Sequence, residues 1–577
     1  MNLGRIGFYF QDNSVDEDTL ESKTQLLDIW SGNLQSSFAL NGSKVEVTTA
    51  VDPHQDIVAI TVESDLLSSG QLGINFDFPY PDSNMFDDPY VGDWNNTNVT
   101  TTLKSTSRSA TIRQKVNENA HFLHAKWSEA GKVSGPLNGT NRYLLTVPGS
   151  KTLHLTAFFN LNEGAKCQKS TSEIEDSAAE WWRGYWTSGS FVDLSAADNA
   201  NATELQRRII LSQYLLAVNS ASDYEPQESG LVNNGWFGKF HLEMYFWHSA
   251  HFARWNHFDL LWRSQPSMYQ KFLPASYERA AHQGYKGARW GKMSDPTGRS
   301  SPGYIDAILI WQQPHPMYFA ETEFRAFPNN EAAVLEKWDE ILTATADFMA
   351  SYAWFNHTTG VYDLGPPMYT VSEETSPNAT INPTFEIAYW RFGLDVAKSW
   401  KQRQQQNVPS AWQEVLDKLA PLAVYNGTFP TYEGIPNMWT GNITIESHPA
   451  MAGIYGWLPE PASGPPLDMT VVRKTAETIK ERWQFPKAWG WDFPLLAMNS
   501  LRLGDTQQAI EYLMHNNFEF DDAGYAIGGT NVPTPYMPSS GALLLAVAMM
   551  AGGWSNSEGS HFPDDWSAAV EGFLPAI

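Results

Sequence analysis

Two architectures in tandem are predicted: an antiparallel β-sandwich over residues 1–190, then a toroid of paired helices with a C-terminal extension over 191–577. Three observations carry this. The chain has 577 residues, more than one hydrophobic core organises. Short segments alternating apolar and polar residues fill the first part, and segments with a 3.6-residue period fill the rest. Long loops rich in Gly, Pro and aromatic residues separate the helices, as loops at one end of a helical ring do. Periodicity alone also allows an ordinary helical domain, and no sequence repeat is visible.

In chain order, Val45–Thr49, Asp56–Val62, Ser109–Lys115, Tyr143–Val147 and Lys151–Phe159 alternate as half-buried strands do. Turn clusters such as Asn41-Gly42 and Pro148-Gly149-Ser150 separate them. The polar stretch Asp87–Thr102 reads as an exposed loop. At Glu175–Trp186 the period changes. From Thr203 onward Leu205, Ile209, Ser212 and Leu216 share a helical face, with Asn201 or Thr203 as cap. Helices are expected at about 332–353, 384–403, 410–419, 469–482, 492–503, 506–515 and 540–550. The intervening loops span 284–315, 361–383, 427–466 and 519–539.

Composition narrows the function classes. At 42% hydrophobic and 18% charged the chain is globular. Its net charge of -26 repels phosphate backbones and anionic lipid heads, so neither a nucleic-acid nor a membrane partner is expected. The longest apolar run, Ala542–Gly552, falls short of the roughly 20 residues a bilayer helix needs. Cys167 stands alone, so no intrachain disulfide forms. Sequons at Asn41, Asn95, Asn98, Asn138, Asn201, Asn356, Asn378, Asn426 and Asn442, with a pI of 4.9, favour a secreted glycoprotein carrying N-glycans at some of them. The start MNLGRIGFYF lacks the features of a signal peptide and enters strand-like sequence abruptly, which suggests that further residues precede it. The chain is expected to be a monomer or homodimer.

The stretch Asn233–Trp262 packs Trp236, Phe240, Tyr245, Trp247, Trp255 and Trp262 among His241, Glu243, His248 and His251. Rings offer stacking faces and a carboxylate among them holds hydroxyls, which suits a neutral polyhydroxylated ligand such as a sugar. The alternative is a helix packed by aromatics with a few hydrogen-bonded histidines. His248 and His251 are spaced to share a metal, but there is no HExxH arrangement and no Cys nearby, so no metal and no cofactor are expected. The Gly528-Gly529 pair has no P-loop lysine, and no GxSxG elbow is present.

Three further stretches concentrate chemistry: Gly284–Gly298 with Trp311-Gln312-Gln313-Pro314-His315, Tyr369–Glu386, and Ala488–Pro494. Gly284-Tyr285-Lys286-Gly287-Ala288 resembles the Gly-Tyr-Xaa-Gly-Ala element of glycoside hydrolase family 65, the clan L group of kojibiose and maltose phosphorylases, kojibiose hydrolase and acid trehalases. Gly238 to Tyr245 lies where that family has Gly-His-Xaa-Phe-Trp-Asp-Thr-Glu; here it reads Gly-Lys-Phe-His-Leu-Glu-Met-Tyr, so Glu243 replaces an aspartate that holds hydroxyls of the terminal glucose. The resemblance covers most of the chain and is best from about 230 to 550. It implies a β-sandwich joined to an (α/α)6 barrel, acting with inversion on α-glucosides.

The resemblance also implies roles. Glu374 precedes Asn382 by eight residues, as the family's general acid precedes its Asn-Asn step, and Glu373 is the adjacent rival. Asp492 falls where the family's phosphorylases carry a Ser-rich phosphate loop; a carboxylate there repels phosphate and suits a general base that activates water. Asp492 could instead cap the following helix, and Glu446, Glu519, Asp521 and Asp522 are other candidate bases. Gln312, Gln313, His315, His241, Lys292, Arg289, Glu446 and His448 can bond hydroxyls. Trp236, Trp290, Trp489 and Trp491 can stack on pyranose faces or simply pack the core. The reading is an inverting, exo-acting α-glycoside hydrolase on a short α-glucoside, kojibiose-type 1,2-linkages among the options. The alternatives are an inverting disaccharide phosphorylase and a non-catalytic carbohydrate-binding protein.

Overall fold

A computed structural model describes residues 2–12, 14–82, 84–86, 91–527 and 532–577. The chain divides into two compact units, Met1–Ser188 and Gly189–Ile577. Gly528-Gly529 and Asp87–Tyr90 lie outside the described residues.

The first unit is an antiparallel β-sandwich. Its larger sheet runs β2-β3-β4-β5-β12-β9-β8-β7, from β2 (Glu21–Asp28), β3 (Asn33–Leu40), β4 (Ser43–Val51), β5 (Ile57–Glu63), β7 (Thr100–Ser105), β8 (Ser109–Val116), β9 (Asn119–Trp127) and β12 (Thr152–Asn160). Its smaller sheet runs β1-β6-β11-β10, from β1 (Arg5–Phe10), β6 (Leu72–Asp77), β10 (Lys132–Ser134) and β11 (Arg142–Thr146). Ile112 faces Leu123 and Leu155 faces Ile60 across neighbouring strands, and these side chains meet Ile74, Phe76 and Leu145 of the smaller sheet in one core. β8 alternates buried and half-buried residues along its length, so its period is visible in the sequence. β2 is exposed at every position and β6 buried at every position, so neither alternates and neither was expected. Thr100–Thr102, expected in a loop, opens β7. The change of period at Glu175 marks helix α1 (Thr171–Ser188).

The second unit is an (α/α)6 barrel. Among the described residues, the inner ring consists of α3 (Tyr245–Arg254), α5 (His315–Ala326), α7 (Thr384–Arg403), a 3-10 turn (Ala450–Tyr455), α10 (Asp492–Arg502) and α12 (Met537–Gly552). Each packs on the next, and α12 returns to α3. Outer helices precede them: α2 (Ala200–Ser220), α4 (Ser267–His282), α6 (Glu331–Tyr352), α8 (Ser410–Lys418), α9 (Met469–Arg482) and α11 (Thr506–Leu513). Two helices, α4 and α5, were not expected, and α3 is the aromatic-packed helix weighed as the alternative for Asn233–Trp262. All of α3 is buried, so it has no polar stripe to betray its period. α4 carries Pro274, which reads as a breaker, and α5 starts where loop 284–315 was expected to end. One ring position, inside the expected loop 427–466, is filled by the 3-10 turn alone. α2 begins earlier than expected: Asn199 is its cap, accepting from Asn201 N at 2.8 Å.

The ring closes through a close approach of backbones. A Cβ on Gly541 of α12 would lie 1.7 Å from the Trp247 carbonyl oxygen on α3. Gly541→Ala therefore forces the two helices apart, and its unfolding free energy in urea is expected to fall by about 1–3 kcal/mol. No helix among the described residues is long and apolar enough to cross a membrane.

Candidate active site

The polar groups cluster where the inner segments begin. Glu243 precedes α3, His315 opens α5, Glu386 lies in the first turn of α7, His448 precedes the 3-10 turn, Asp492 opens α10 and Tyr536 caps α12. Helix N-termini converging on one end present unpaired N–H groups and positive dipole ends, which favour carboxylates.

Glu243 sits at the centre. Its Oε1 accepts from Trp311 Nε1 at 2.6 Å, and its Oε2 meets Lys292 Nζ at 3.0 Å and His241 Nε2 at 3.1 Å. Burial alone would raise its pKa; the Lys292 ammonium and His241 outweigh that and hold it at about 2. Lys292 also meets Glu373 Oε1 at 2.7 Å. One ammonium cannot neutralise a buried and a half-buried carboxylate together, so burial and the Glu243 charge raise the Glu373 carboxyl while Lys292 opposes them.

Glu374 points elsewhere. Burial raises its carboxyl, the Glu446 carboxylate adds to that, and His448 and Lys487 oppose it. Its residue is nonetheless solvent-exposed, so it faces an open mouth. Asp492 is fully buried. His448 Nδ1 lies 2.8 Å from its Oδ1, and Trp489 N donates to its Oδ2 at 2.8 Å. Burial raises the Asp492 carboxyl, against the pull of both partners. Asp492 is the first residue of α10, and its carboxylate reaches back to Trp489 instead of capping the turn ahead. His448 is thus bonded to one carboxyl and within electrostatic reach of the other.

Other expected residues are placed behind this cluster. Gln313 is fully buried, its amide donating to Trp290 O and accepting from Trp290 N. Gln312 donates to Trp290 O and Leu309 O. His315 bonds Tyr389 Oη and Glu243 O through its two ring nitrogens. Arg289 is buried and donates to Gln283 and Leu309 O. For Gln313, His315 and Arg289 the expectation of ligand contact is corrected, since these bonds tie them to the frame, whereas the Gln312 Oε1 is buried with no partner among the described residues. Trp491 is stacked on His448 at 4.1 Å and on Trp247 at 5.0 Å and is 1% exposed, so no ring face is open to a pyranose. Trp290 is likewise buried, its Nε1 on Thr345. Trp236, whose Nε1 donates to Glu228, and Trp489, beside His448 and Tyr536, keep part of their surface. Glu446 pairs with Lys487 Nζ at 2.7 Å.

Sequence reasoning missed Glu228 and Tyr536. Burial raises both, and the phenol lies in the field of Glu228, Asp492 and Glu243. Neither sits in a recognisable motif; only the ring brings residues 228, 243, 492 and 536 together. His248 and His251 are buried, and burial holds both well below the ordinary imidazole range. Among the described residues no group of three His, Cys, Asp or Glu is placed to hold a metal. A cavity of about 760 Å³ lies toward the other ends of the inner helices, lined by Glu321, Arg403 and Arg502 among others. Arg403 pairs there with Glu321, Arg502 donates to Gly456 O, and Asp395, raised by burial, accepts from Ser463.

No family model and no curated protein matches the chain by sequence. Its structure is similar to that of a protein described as a kojibiose phosphorylase from the human microbiome, with a TM-score of 0.67 and 11% identity over 96% of this chain and 79% of that one. It is also similar to a bacterial glucoamylase complexed with acarbose, with a TM-score of 0.59 and 10% identity over 97% and 90% of the two chains. The fold shared with both is a β-sandwich followed by an (α/α)6 barrel.

Proposed function

We propose that this protein is an inverting, exo-acting α-glycoside hydrolase that removes terminal α-glucose from a short oligosaccharide or glycoconjugate, kojibiose-type 1,2-linkages among its substrates. The observation that carries the reading is Asp492 bonded to His448 with Glu374 within electrostatic reach of the same imidazole, burial raising both carboxyls above their ordinary range. The similar structures, one described as a kojibiose phosphorylase and one holding acarbose, support a glycoside-processing enzyme and a sugar ligand.

Inverting hydrolysis is a single displacement. A protonated carboxyl gives its proton to the glycosidic oxygen, and a carboxylate about 6.5–9.5 Å away takes one from the attacking water. Glu374, open to solvent and in no ion pair among those described, suits the acid. Asp492, fixed by two donors, suits the base, and its raised pKa makes it a stronger one. Glu243, His241 and Lys292 would hold hydroxyls of the terminal sugar, Trp236 and Trp489 would stack on rings, and Glu446 and His448 would line the leaving-group side. The sequons and the acidic pI favour a secreted location for such an enzyme.

The test is a panel of α- and β-linked disaccharides followed by proton NMR, with and without phosphate. β-Glucose appearing first from an α-linked donor is expected. Phosphate-dependent β-glucose 1-phosphate would make the protein a phosphorylase. Binding without turnover across the panel would make it a carbohydrate-binding protein.

A further inference from the structure

The turn carrying Glu374 is bent against its own preference. Glu373 has φ 58, in the left-handed region that costs an L side chain energy and that glycine enters freely. Within the turn, Glu373 N donates to Thr370 O at 2.9 Å and Glu374 N to Ser372 O at 2.7 Å. Four neighbours pin it, Glu386, His448, Ser447 and Lys292. Val371 N donates to Glu386 Oε1 at 2.7 Å. Ser372 Oγ donates to His448 O at 3.3 Å, and Ser447 Oγ donates to Ser372 O at 3.2 Å. Lys292 clamps the Glu373 side chain while holding Glu243 with the same ammonium. The left-handed step sends the two adjacent carboxylates different ways: Glu373 toward Lys292 and Glu243, Glu374 toward His448 and Glu446.

Resting on the proposed roles of Glu374 and Asp492, we propose that Lys292 and Glu373 form a positioning pair, whose ion pair holds the strained turn so that Glu374 faces the glycosidic oxygen. Glu373 then donates no proton in the reaction. Strain at a functional loop persists only where the surroundings over-determine it, and here the pair ties the acid's turn to the segment that carries Glu243. A sugar bound at Glu243 and an acid aimed at its leaving oxygen are thereby set by one side chain.

The test compares Glu373→Ala, Glu373→Gly, Glu373→Gln and Lys292→Met in the full chain, each checked by circular dichroism melts, using the donor found in the disaccharide panel. The charged and titratable groups facing Glu373 are Lys292, Glu243, His241 and Tyr369, with Glu374 adjacent in the chain, and all but Lys292 stay in place throughout. Glu373→Ala is expected to lower kcat about 30–100-fold with KM changed less than about threefold, since misplacing an acid by about 1 Å has that effect. Glu373→Gly, free to adopt the left-handed turn, should retain about fivefold more kcat than Glu373→Ala. Glu373→Gln, which still accepts from Lys292, should retain more than about a tenth of kcat. The basic limb of the kcat/KM profile should persist in every Glu373 variant.

A Glu373→Gln enzyme that is inactive and lacks the basic limb would overturn the proposal by making Glu373 the acid. Wild-type kcat in both Glu373→Ala and Lys292→Met, with Glu374→Gln inactive, would overturn the positioning role alone and leave the acid assignment standing. If Lys292→Met proves unfolded, the Ala, Gly and Gln series at 373 still decides the question.

Discussion

Glu374→Gln is expected to lower kcat on an unactivated α-glucoside by about 10³-fold, within the range that general acid catalysis supplies, and to leave KM nearly unchanged. The amide keeps the shape and loses the proton. A glucosyl fluoride, whose leaving group needs no protonation, should lose far less, and that contrast separates a lost acid from a collapsed site. The pH profile gives a second check. Glu374 acts while protonated, so activity falls as pH rises through its pKa, which burial and Glu446 set above the ordinary glutamate range. In Glu374→Gln this basic limb should disappear. A variant that hydrolyses both donors like the wild type would remove Glu374 from the mechanism.

Asp492→Asn is expected to be at least as damaging, by about 10³–10⁴-fold in kcat on both donors, because an amide cannot take a proton from the attacking water. The side chain is fully buried between His448 and the Trp489 amide. Asparagine can meet the same partners, with its oxygen on Trp489 N and its NH₂ on the unprotonated face of His448. The fold should therefore survive, which a thermal melt checks. Asp492 acts while ionised and burial raises its pKa, so the wild-type enzyme loses activity as pH falls through a value above the ordinary aspartate range. That acidic limb should vanish in the variant. Addition of azide as an external nucleophile should yield β-glucosyl azide from glucosyl fluoride; failure to form any would argue that Asp492 serves another purpose.

Legibility followed burial. Half-buried strands such as β8 and half-buried helices such as α6 showed their period, because one face is polar. Elements buried all round, α3 and β6, and the wholly exposed β2 showed none. At the site, Glu243, His241, Lys292, His448, Glu374 and Asp492 stood out through resemblance and local composition. Gln313, His315 and Trp491 have the chemistry of sugar ligands, yet the ring spends them on Trp290, Tyr389, His448 and Trp247. Composition cannot reveal which polar groups a fold consumes internally. Glu228 and Tyr536 were invisible because they meet only once α12 has closed against α3.

That closure has a consequence for how the chain is made. α12 is buried along all of its residues and is the ring's last segment, while its partners α2 and α3 leave the ribosome some three hundred residues earlier. Domains generally assemble as units during synthesis, and exposed apolar surface invites aggregation meanwhile. For most of translation, then, the nascent ring has a missing stave, and Trp247 and its neighbours stay uncovered until residues 537–552 emerge. A chaperone that shields this seam would matter more to yield than any single contact in the finished enzyme.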